Sequence, residues 1–260
     1  MNRQTIVMIL LFALALIACK PIDIARVTES STQQEAATIE PLTAAPLPEA
    51  ETATTEESTA AAQESEHPAA QLITAFTEPA ATNGELLILY GQVLDVNGNP
   101  VPDATVEIWQ TDATGVYDHP GDAGTGNRDL SFQFYGTATV DVGGWYAFRT
   151  IVPGRYEPRP RHIHFKVKQR GNTLLTSQFY FSDDIAEVQG EGMFQAVGEG
   201  GDRLLLQLVQ GEGQLLAHGR IVVDTGIGAG SLPLTPGQGE GPYYPVVDLA
   251  AYDNDLVQLP

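Results

Sequence analysis

The sequence predicts an all-β fold, an antiparallel β-sandwich, for the part of the chain that begins near Leu86. Short runs of β-branched and aromatic residues alternate there with Gly, Pro, Asn and Asp. Asn97-Gly98-Asn99-Pro100 and Gly143-Gly144 are typical of tight turns between strands. No segment has a convincing helical period, and no internal repeat suggests a propeller or a solenoid.

Eight strands are predicted from these runs. Two sheets made of such strands would pack face to face and bury the alternate side chains of each strand. In chain order the predicted strands are LLILYGQVLD (86–95), ATVEIWQ (104–110), QFYGTATV (133–140), WYAFRTI (145–151), RHIHFKVK (161–168), LLTSQFYF (174–181), RLLLQLVQ (203–210) and QLLAHGRIVVD (214–224).

The start of the chain has the features of a lipoprotein signal peptide. Residues 1–19 combine the basic Arg3, an apolar run from Ile6 to Ala18 and the only cysteine, Cys19, which is the predicted lipidation site. The run is shorter than the roughly 20 apolar residues that span a bilayer, although an uncleaved membrane anchor is the alternative. We therefore expect an exported lipoprotein, at the cell surface or in the periplasm, that contacts the membrane only through this anchor.

Residues 20–71 are rich in Ala, Thr, Glu, Ser and Pro and predict a disordered linker, which leaves residues 72–260 as the folded domain. The chain has a formal net charge of −20. Its first 71 residues hold ten acidic and three basic residues, so the remainder is acidic too. A negative surface disfavours nucleic acid and anionic lipid headgroups as partners, and it does not attract an anionic substrate.

The fifth predicted strand contains the most informative residues. Because neighbouring side chains of a strand point to opposite faces, Ile163, Phe165 and Val167 form an apolar face while His162 and His164 project from the other. Two imidazoles on one face could bind one metal ion. By itself, the pair could equally be solvated or held by structural hydrogen bonds.

Two tyrosines lie in turn-like segments of the sequence. Tyr117 lies in Ala113-Thr114-Gly115-Val116-Tyr117-Asp118-His119, and Tyr156 follows the turn Pro153-Gly154. A phenolate is a hard ligand that suits a ferric ion. The alternative for each tyrosine is an ordinary aromatic at a sheet edge with its hydroxyl in water.

The order and context of these residues resemble the intradiol ring-cleavage dioxygenases, the family of protocatechuate 3,4-dioxygenase and catechol 1,2-dioxygenase. The resemblance runs from about Leu89 to Asp184. Several motifs in the right order make it specific: Gly91-Gln92-Val93-Leu94-Asp95, Pro100-Val101-Pro102-Asp103-Ala104, Val106-Glu107-Ile108-Trp109-Gln110, Gly115-Val116-Tyr117-Asp118-His119, Phe148-Arg149-Thr150-Ile151, Arg159 to Phe165, and Ser177-Gln178-Phe179-Tyr180-Phe181.

The resemblance implies a sandwich of the intradiol dioxygenase type and a non-haem ferric ion. Such enzymes open the ring of a catechol between its two hydroxylated carbons and incorporate both atoms of O2 into a muconate-type diacid. Tyr156 would be the tyrosinate that leaves the iron and accepts a substrate proton, and Arg159 would be the active-site arginine. The implied ligands are Tyr117, Tyr156, His162 and His164, and the implied substrate-binding residues include Gln178 and Tyr180.

The C-terminal segment departs from the family order. Gly241-Pro242-Tyr243-Tyr244-Pro245 resembles a segment that relatives carry before their first strand, so the chain is predicted to be circularly permuted. We expect Gly241, Pro242 and Tyr243 to line the substrate pocket. The alternative is a tail that covers a sheet edge. The helical dimerisation domain of the catechol 1,2-dioxygenases is not expected here, although a homo-oligomer stays possible.

Two other functions compete with this interpretation. The first is a non-catalytic, transthyretin-like β-sandwich binding module at the cell surface, since Gly91-x-Val93-x-Asp95 also occurs in such domains. The second is a family member that binds iron but has lost turnover. The ring substituents of the natural substrate are left open by the sequence.

Overall fold

The protein is described here from a computed structural model, which covers residues 68–77 and 79–258. The predicted signal peptide with Cys19, and residues 20–67 of the predicted linker, lie outside the described residues and stay predictions. The first described helix, α1, spans Pro68–Thr74 and so begins four residues before the predicted start of the domain. Across the described part of the chain, no helix is long and apolar enough to cross a membrane.

The predicted all-β sandwich is confirmed: the described residues form ten strands in two sheets and a few short helices. The strands are β1 (Leu86–Asp95), β2 (Ala104–Trp109), β3 (Tyr135–Thr139), β4 (Trp145–Ile151), β5 (His162–Gln169), β6 (Asn172–Phe181), β7 (Leu205–Leu206), β8 (Val209–Gln210), β9 (Leu215–His218) and β10 (Ile221–Val223).

Helical turns occur between strands and near the C-terminus, where the sequence shows no long apolar period. After α1, the α-helices are α2 (Ile185–Val188) and α3 (Gly192–Val197). Short 3-10 helices span Thr125–Asn127, Ser182–Asp184, Gly201–Leu204 and Leu249–Ala251.

Sheet one is built around β1. Strand β4 pairs with one side of β1 along Leu86–Gln92, in antiparallel orientation. Strands β9 and β10 pair with β1 in parallel, and β8 pairs with β9. Sheet two has the order β3-β2-β5-β6-β7, with antiparallel pairs except between β6 and β7. The sandwich is therefore mixed, whereas the sequence predicted antiparallel pairing throughout.

The last two predicted strands each divide in two, for different reasons. The run 203–210 crosses from one sheet to the other, because β7 pairs with β6 and β8 pairs with β9. The run 214–224 is interrupted at Gly219, whose carbonyl packs against Gly91 so closely that a Cβ on Gly91 would lie 2.0 Å from that oxygen. A residue with a side chain at position 91 would push the strands apart.

One buried cluster lies between the sheets. Leu87, Leu89 and Phe148 from sheet one pack with Ile108 and Phe165 from sheet two, and all are fully buried. Leu256 and Val257, near the C-terminal end of the described residues, belong to the same cluster. The C-terminal segment is thus part of the core.

Candidate active site

The outer face of sheet two carries the two histidines. Strand pairing sets His164 opposite both Trp109 and Gln178, and it sets His162 opposite Tyr180, so all five side chains share one face. The opposite side chains of β5 are fully buried in the core, which confirms the predicted division into two faces. Those core residues are Ile163, Phe165 and Val167.

The hydrogen bonds of His162 fix its tautomer. Its Nδ1 lies 2.7 Å from the carbonyl oxygen of Pro160, which can only accept, so Nδ1 carries the proton. The Nε2 lone pair then faces the Tyr117 hydroxyl and a guanidinium nitrogen of Arg159, each 3.0 Å away. Burial and, secondly, the charge of Arg159 lower the pKa of His162 from 6.5 to about 3, so the ring is neutral near neutral pH.

His164 is held by stacking. Its ring lies parallel to that of Trp109, with 4.8 Å between the ring centroids. Burial lowers its pKa well below 6.5, and the neighbouring His162 and Arg159 add to this effect. Its Nδ1 is buried without a hydrogen-bond partner among the described residues. The imidazole is therefore neutral and keeps unused bonding capacity.

Two glycines bring the loops of Tyr117 and Tyr156 together. Gly115 has a φ of +86°, and a Cβ on it would lie 2.0 Å from the Arg155 carbonyl oxygen. A Cβ on Gly154 would lie 2.3 Å from the Gly115 nitrogen. Only glycine allows this backbone approach. As a result the rings of Tyr117 and Tyr156 meet edge to face, with centroids 5.5 Å apart.

Tyr117 is buried and fixed at both ends. Its backbone amide donates to the carboxylate of Asp122 at 2.8 Å, and its hydroxyl contacts His162. Burial raises the pKa of Tyr117. The charge of Arg159 opposes this increase, whereas the charges of Tyr156, Tyr243 and Asp122 add to the increase. A phenolate here would need a strong compensating cation.

Tyr156 pairs with a residue of the C-terminal segment. The hydroxyl oxygens of Tyr156 and Tyr243 are 2.5 Å apart, and the Tyr243 ring also lies 4.9 Å from that of Tyr117. This hydrogen bond, and then burial, raise the pKa of Tyr243 to about 12. Three tyrosines therefore meet beside the histidine pair.

Arg159 uses its guanidinium in three directions. Its Nε donates to the carboxylate of Glu191, one Nη contacts His162, and the other donates to the amide oxygen of Gln178 at 2.9 Å. The amide nitrogen of Gln178 donates in turn to the Tyr180 hydroxyl at 2.8 Å. Gln178 and Tyr180 are fully buried, so this network is rigid.

Residues 236–245, which we call the strap, run across the outer face of sheet two. At one end, Gln238 donates to the Tyr180 hydroxyl at 3.2 Å. At the other, the Tyr244 hydroxyl donates to the carboxylate of Glu107 at 2.8 Å, and the ammonium of Lys166 lies 3.5 Å from the Tyr244 ring centroid. The strap therefore lies on the face of the sheet.

The three strap residues predicted to line the pocket are placed differently. Gly241 lies against His164, since a Cβ on it would be 3.3 Å from the His164 Cε1. Tyr243 lies beside Tyr156, as described above. Pro242 is exposed.

Comparison with protein-family profiles agrees with the resemblance found in the sequence. The profile of a dioxygenase family matches residues 57–208, which is more than half of the chain. The chain belongs to the intradiol ring-cleavage dioxygenase family. It is 33% identical over 135 residues to the catechol 1,2-dioxygenase of Acinetobacter baylyi, covering 43% of this chain and 42% of the relative. It is 36% identical over 132 residues to the protocatechuate 3,4-dioxygenase beta chain of Burkholderia cepacia, covering 47% and 55%.

This intradiol dioxygenase homologue thus spans about half the length of the curated relatives it matches. Among solved structures, it is similar to the dioxygenase domain of a dioxygenase carbohydrate-binding protein fusion from Streptomyces sp. SirexAA-E. The identity is 28%, the TM-score is 0.43, and the alignment covers 56% of this chain and 84% of that chain. Family membership does not favour a non-catalytic, transthyretin-like binding module.

Intradiol dioxygenases use non-haem iron, and the residues of this chain fit such an ion. In the described part of the chain no group of three His, Cys, Asp or Glu residues could hold a metal. The donors that meet here are instead a phenol and imidazoles: the Tyr117 hydroxyl lies 3.0 Å from the His162 Nε2, and the His162 and His164 rings are 4.8 Å apart.

Several residues of the site were not predicted. Trp109 and Glu107 lie within the motif Val106-Glu107-Ile108-Trp109-Gln110, and Lys166 follows His164 by two residues. The alternation of side chains along a strand therefore predicts that they lie on this face. Asp122 and Glu191 have no such signal. Each comes from a loop that meets the site only in the folded chain.

Proposed function

We propose that this chain is an iron-dependent intradiol dioxygenase, which cleaves the ring of a catechol with O2 and forms a muconate-type diacid. The observation that carries the proposal is that the Tyr117 hydroxyl contacts His162 and the Tyr117 ring meets that of Tyr156, beside the pair of His162 and His164. Two neutral imidazoles and two phenols are the donors expected for a ferric ion. These four residues would hold it.

Iron bound there would supply the Lewis acidity that makes both catechol hydroxyls acidic and allows the ring to react with O2. The chain itself would position the substrate. Stacking of Trp109 fixes His164, and the Pro160 carbonyl fixes His162 with its Nε2 lone pair toward the ion. Rigid ligands keep the substrate oxygens in one orientation.

As a tyrosinate, Tyr156 would take up a substrate proton at its phenolate oxygen and become the neutral phenol. Its partner Tyr243 lies within hydrogen-bonding distance and can hold the Tyr156 hydroxyl away from the histidines. Tyr117 is more deeply buried, and its hydroxyl contacts His162 instead of a tyrosine of the strap. It would therefore stay in place. The two tyrosines thus have environments that suit different roles.

Arg159 would stabilise negative charge that develops on the substrate. Glu191 and Gln178 fix two sides of its guanidinium, and the remaining nitrogen points toward His162. A donor that is already oriented stabilises such charge without reorganisation. This role explains why an arginine, with several donors in one plane, occupies the position.

The proposal is tested by iron content, colour and oxygen uptake. The purified protein should contain iron, be red to burgundy because of tyrosinate-to-ferric charge transfer, and consume O2 with catechol to give a diacid that carries both oxygen atoms from labelled O2. A colourless protein that stays iron-free after reconstitution under air would reject the proposal. Iron and colour without oxygen uptake would indicate a family member that has lost turnover.

Tyr117→Phe should remove the red to burgundy colour and most of the bound iron. Tyr135→Phe is the matched control, because Tyr135 is also buried and hydrogen-bonded, but to Asp118 and away from the histidines. Equal iron and equal spectra in the two variants would contradict the assignment of Tyr117 as a ligand.

A further inference from the structure

The cations beside the candidate site are all bound by carboxylates of the same chain. Three cations lie on or next to the outer face of sheet two, in the pairs Arg159 with Glu191, Lys166 with Glu240, and Lys168 with Glu107. Asp122 adds a fourth carboxylate beneath Tyr117. The Gly121 amide donates a hydrogen bond to the His119 Nδ1. The formal charge of this set is negative.

Glu191 is the carboxylate that binds Arg159, whose guanidinium also contacts the proposed ligand His162. It precedes α3, and its side chain is only 10% exposed. One of its oxygens accepts from the Nε of Arg159, and the carboxylate also lies within hydrogen-bonding reach of the Tyr180 hydroxyl. A second anion placed beside this carboxylate would be repelled, because like charges at close range are unfavourable.

An unused hydrogen-bond acceptor lies in the same region. The amide nitrogen of Gln238 donates to Tyr180 and to the Met193 carbonyl, but its amide oxygen is buried without a partner. Met193 and Gln238 also line a cavity of about 280 Å³. Beyond Arg159 the site therefore offers hydrogen-bond acceptors, and its cations are already neutralised.

We propose that Glu191 determines the substrate class: the site takes catechols whose ring is unsubstituted or carries an uncharged, hydrogen-bond-donating group, and it rejects catechols that carry a carboxylate. This rests on the proposed function. A substrate carboxylate would lose its water beside Glu191 and find no free cation in exchange. Selectivity then comes from repulsion as well as from attraction.

The first test compares two substrates of the same shape. The binding of 3,4-dihydroxybenzoate and 3,4-dihydroxybenzamide to the iron-loaded protein is measured by calorimetry without oxygen at neutral pH, with catechol as reference. The benzoate carries a charge and the benzamide does not. We expect the benzoate to bind at least about tenfold more weakly than the benzamide. Equal affinities would overturn the proposal, and this arm needs no variant.

The second test assigns the effect to one residue. Glu191→Gln removes the charge and keeps the shape, so the ratio of benzamide to benzoate affinity should fall by about tenfold or more. Glu187→Gln is the control. Glu187 lies four residues before Glu191, is exposed, and binds Arg155 instead of Arg159. It should leave the ratio unchanged. A ratio that stays the same in Glu191→Gln would reject Glu191 as the determinant.

Failure of the proposed function would look different. If catechol neither binds nor supports oxygen uptake, the proposed function fails and this inference fails with it. If catechol is cleaved while the benzoate and the benzamide bind alike, only the inference about Glu191 is rejected.

Discussion

Burial prepares His162 and His164 for metal binding before any metal is present. Both side chains are only 3% exposed, and desolvation is the main reason that their pKa values are lowered. A neutral imidazole keeps its lone pair available, so an ion does not compete with protons near neutral pH. The same burial makes the metal-free protein sensitive to acid.

We predict that metal-free protein loses stability as pH falls below about 6.5. The unfolded state binds a proton at His162 near pH 6.5, whereas the folded state does so only near pH 3, so unfolding takes up protons in this window and stability rises with pH. At about pH 4.5 the cost from His162 is about 2.7 kcal/mol, since each pH unit below 6.5 costs about 1.36 kcal/mol. Urea unfolding of metal-free wild type and metal-free His162→Gln, at about pH 6.5 and at about pH 4.5, measures this cost as a change in the free energy of unfolding. Parallel pH dependence in the two proteins would contradict the prediction.

A second residue-scale prediction concerns Arg159. Lysine cannot reach Glu191, His162 and Gln178 together, so Arg159→Lys should lower kcat by about 10² to 10³. Arg161→Lys is the control, since Arg161 binds Asp184 through two hydrogen bonds and does not contact His162. Steady-state oxygen uptake measures both. A loss confined to KM would show that Arg159 acts in binding rather than in the chemical step.

At this scale the sequence predicts side chains that follow a strand period and misses those that arrive from loops. The common face of His162 and His164 follows from alternation alone. Tyr117 and Tyr156 were assigned by family resemblance, because the close contact of Gly115 with the Arg155 carbonyl that joins their loops leaves no mark in local sequence.

Among the elements, the strap is the one that completes the face. It passes over the histidines between Gln238 and Tyr244, and the chain after it continues into the core through Leu256 and Val257. Deleting the C-terminal segment would therefore remove core packing together with the strap. Point substitutions within the strap separate the two effects.

We predict that Gly241→Ala impairs the site while Gly239→Ala does not. Gly241 has a φ of +79° and lies against His164, so an added Cβ is strained and crowds the ring. Gly239 has no such φ, and its Cβ would meet only the Met193 side chain at 3.8 Å. Small displacements near reacting atoms can cost up to about a hundredfold.

The measurement is kcat/KM for catechol together with the visible spectrum of the iron-loaded protein. We expect both to change in Gly241→Ala and neither in Gly239→Ala. If the two variants behave alike, the strap does not contact the site in solution as it does here.

Strand existence was predictable, and pairing was not. The bounds of β1 and β4 match the predicted runs because turn signals flank both. The run 203–210 was predicted as one strand, since apolar residues continue through it. Nothing in its pattern marks the point at which the chain changes sheets, which depends on the partners β6 and β9.

For the whole molecule, the order of the segments decides how a site is completed. The strap follows β10 in the chain, in the order that the predicted circular permutation describes, and it contacts Tyr156 and His164 of the same chain without a second subunit. One chain thus contains every proposed site residue. Whether it works alone depends on whether strap and ligands of one chain meet in solution.

We predict that each chain completes its own site. Tyr117→Phe and Gly241→Val chains, each expected to be inactive, are produced together so that subunits can mix. If strap and ligands came from different subunits, mixed dimers would combine an intact strap with intact ligands, and about a quarter of the sites would recover. With completion inside one chain, no activity returns at any ratio. Wild type mixed with Tyr117→Phe serves as control and should lose activity only in proportion to dilution. Recovery near a quarter would show that the strap is exchanged between subunits.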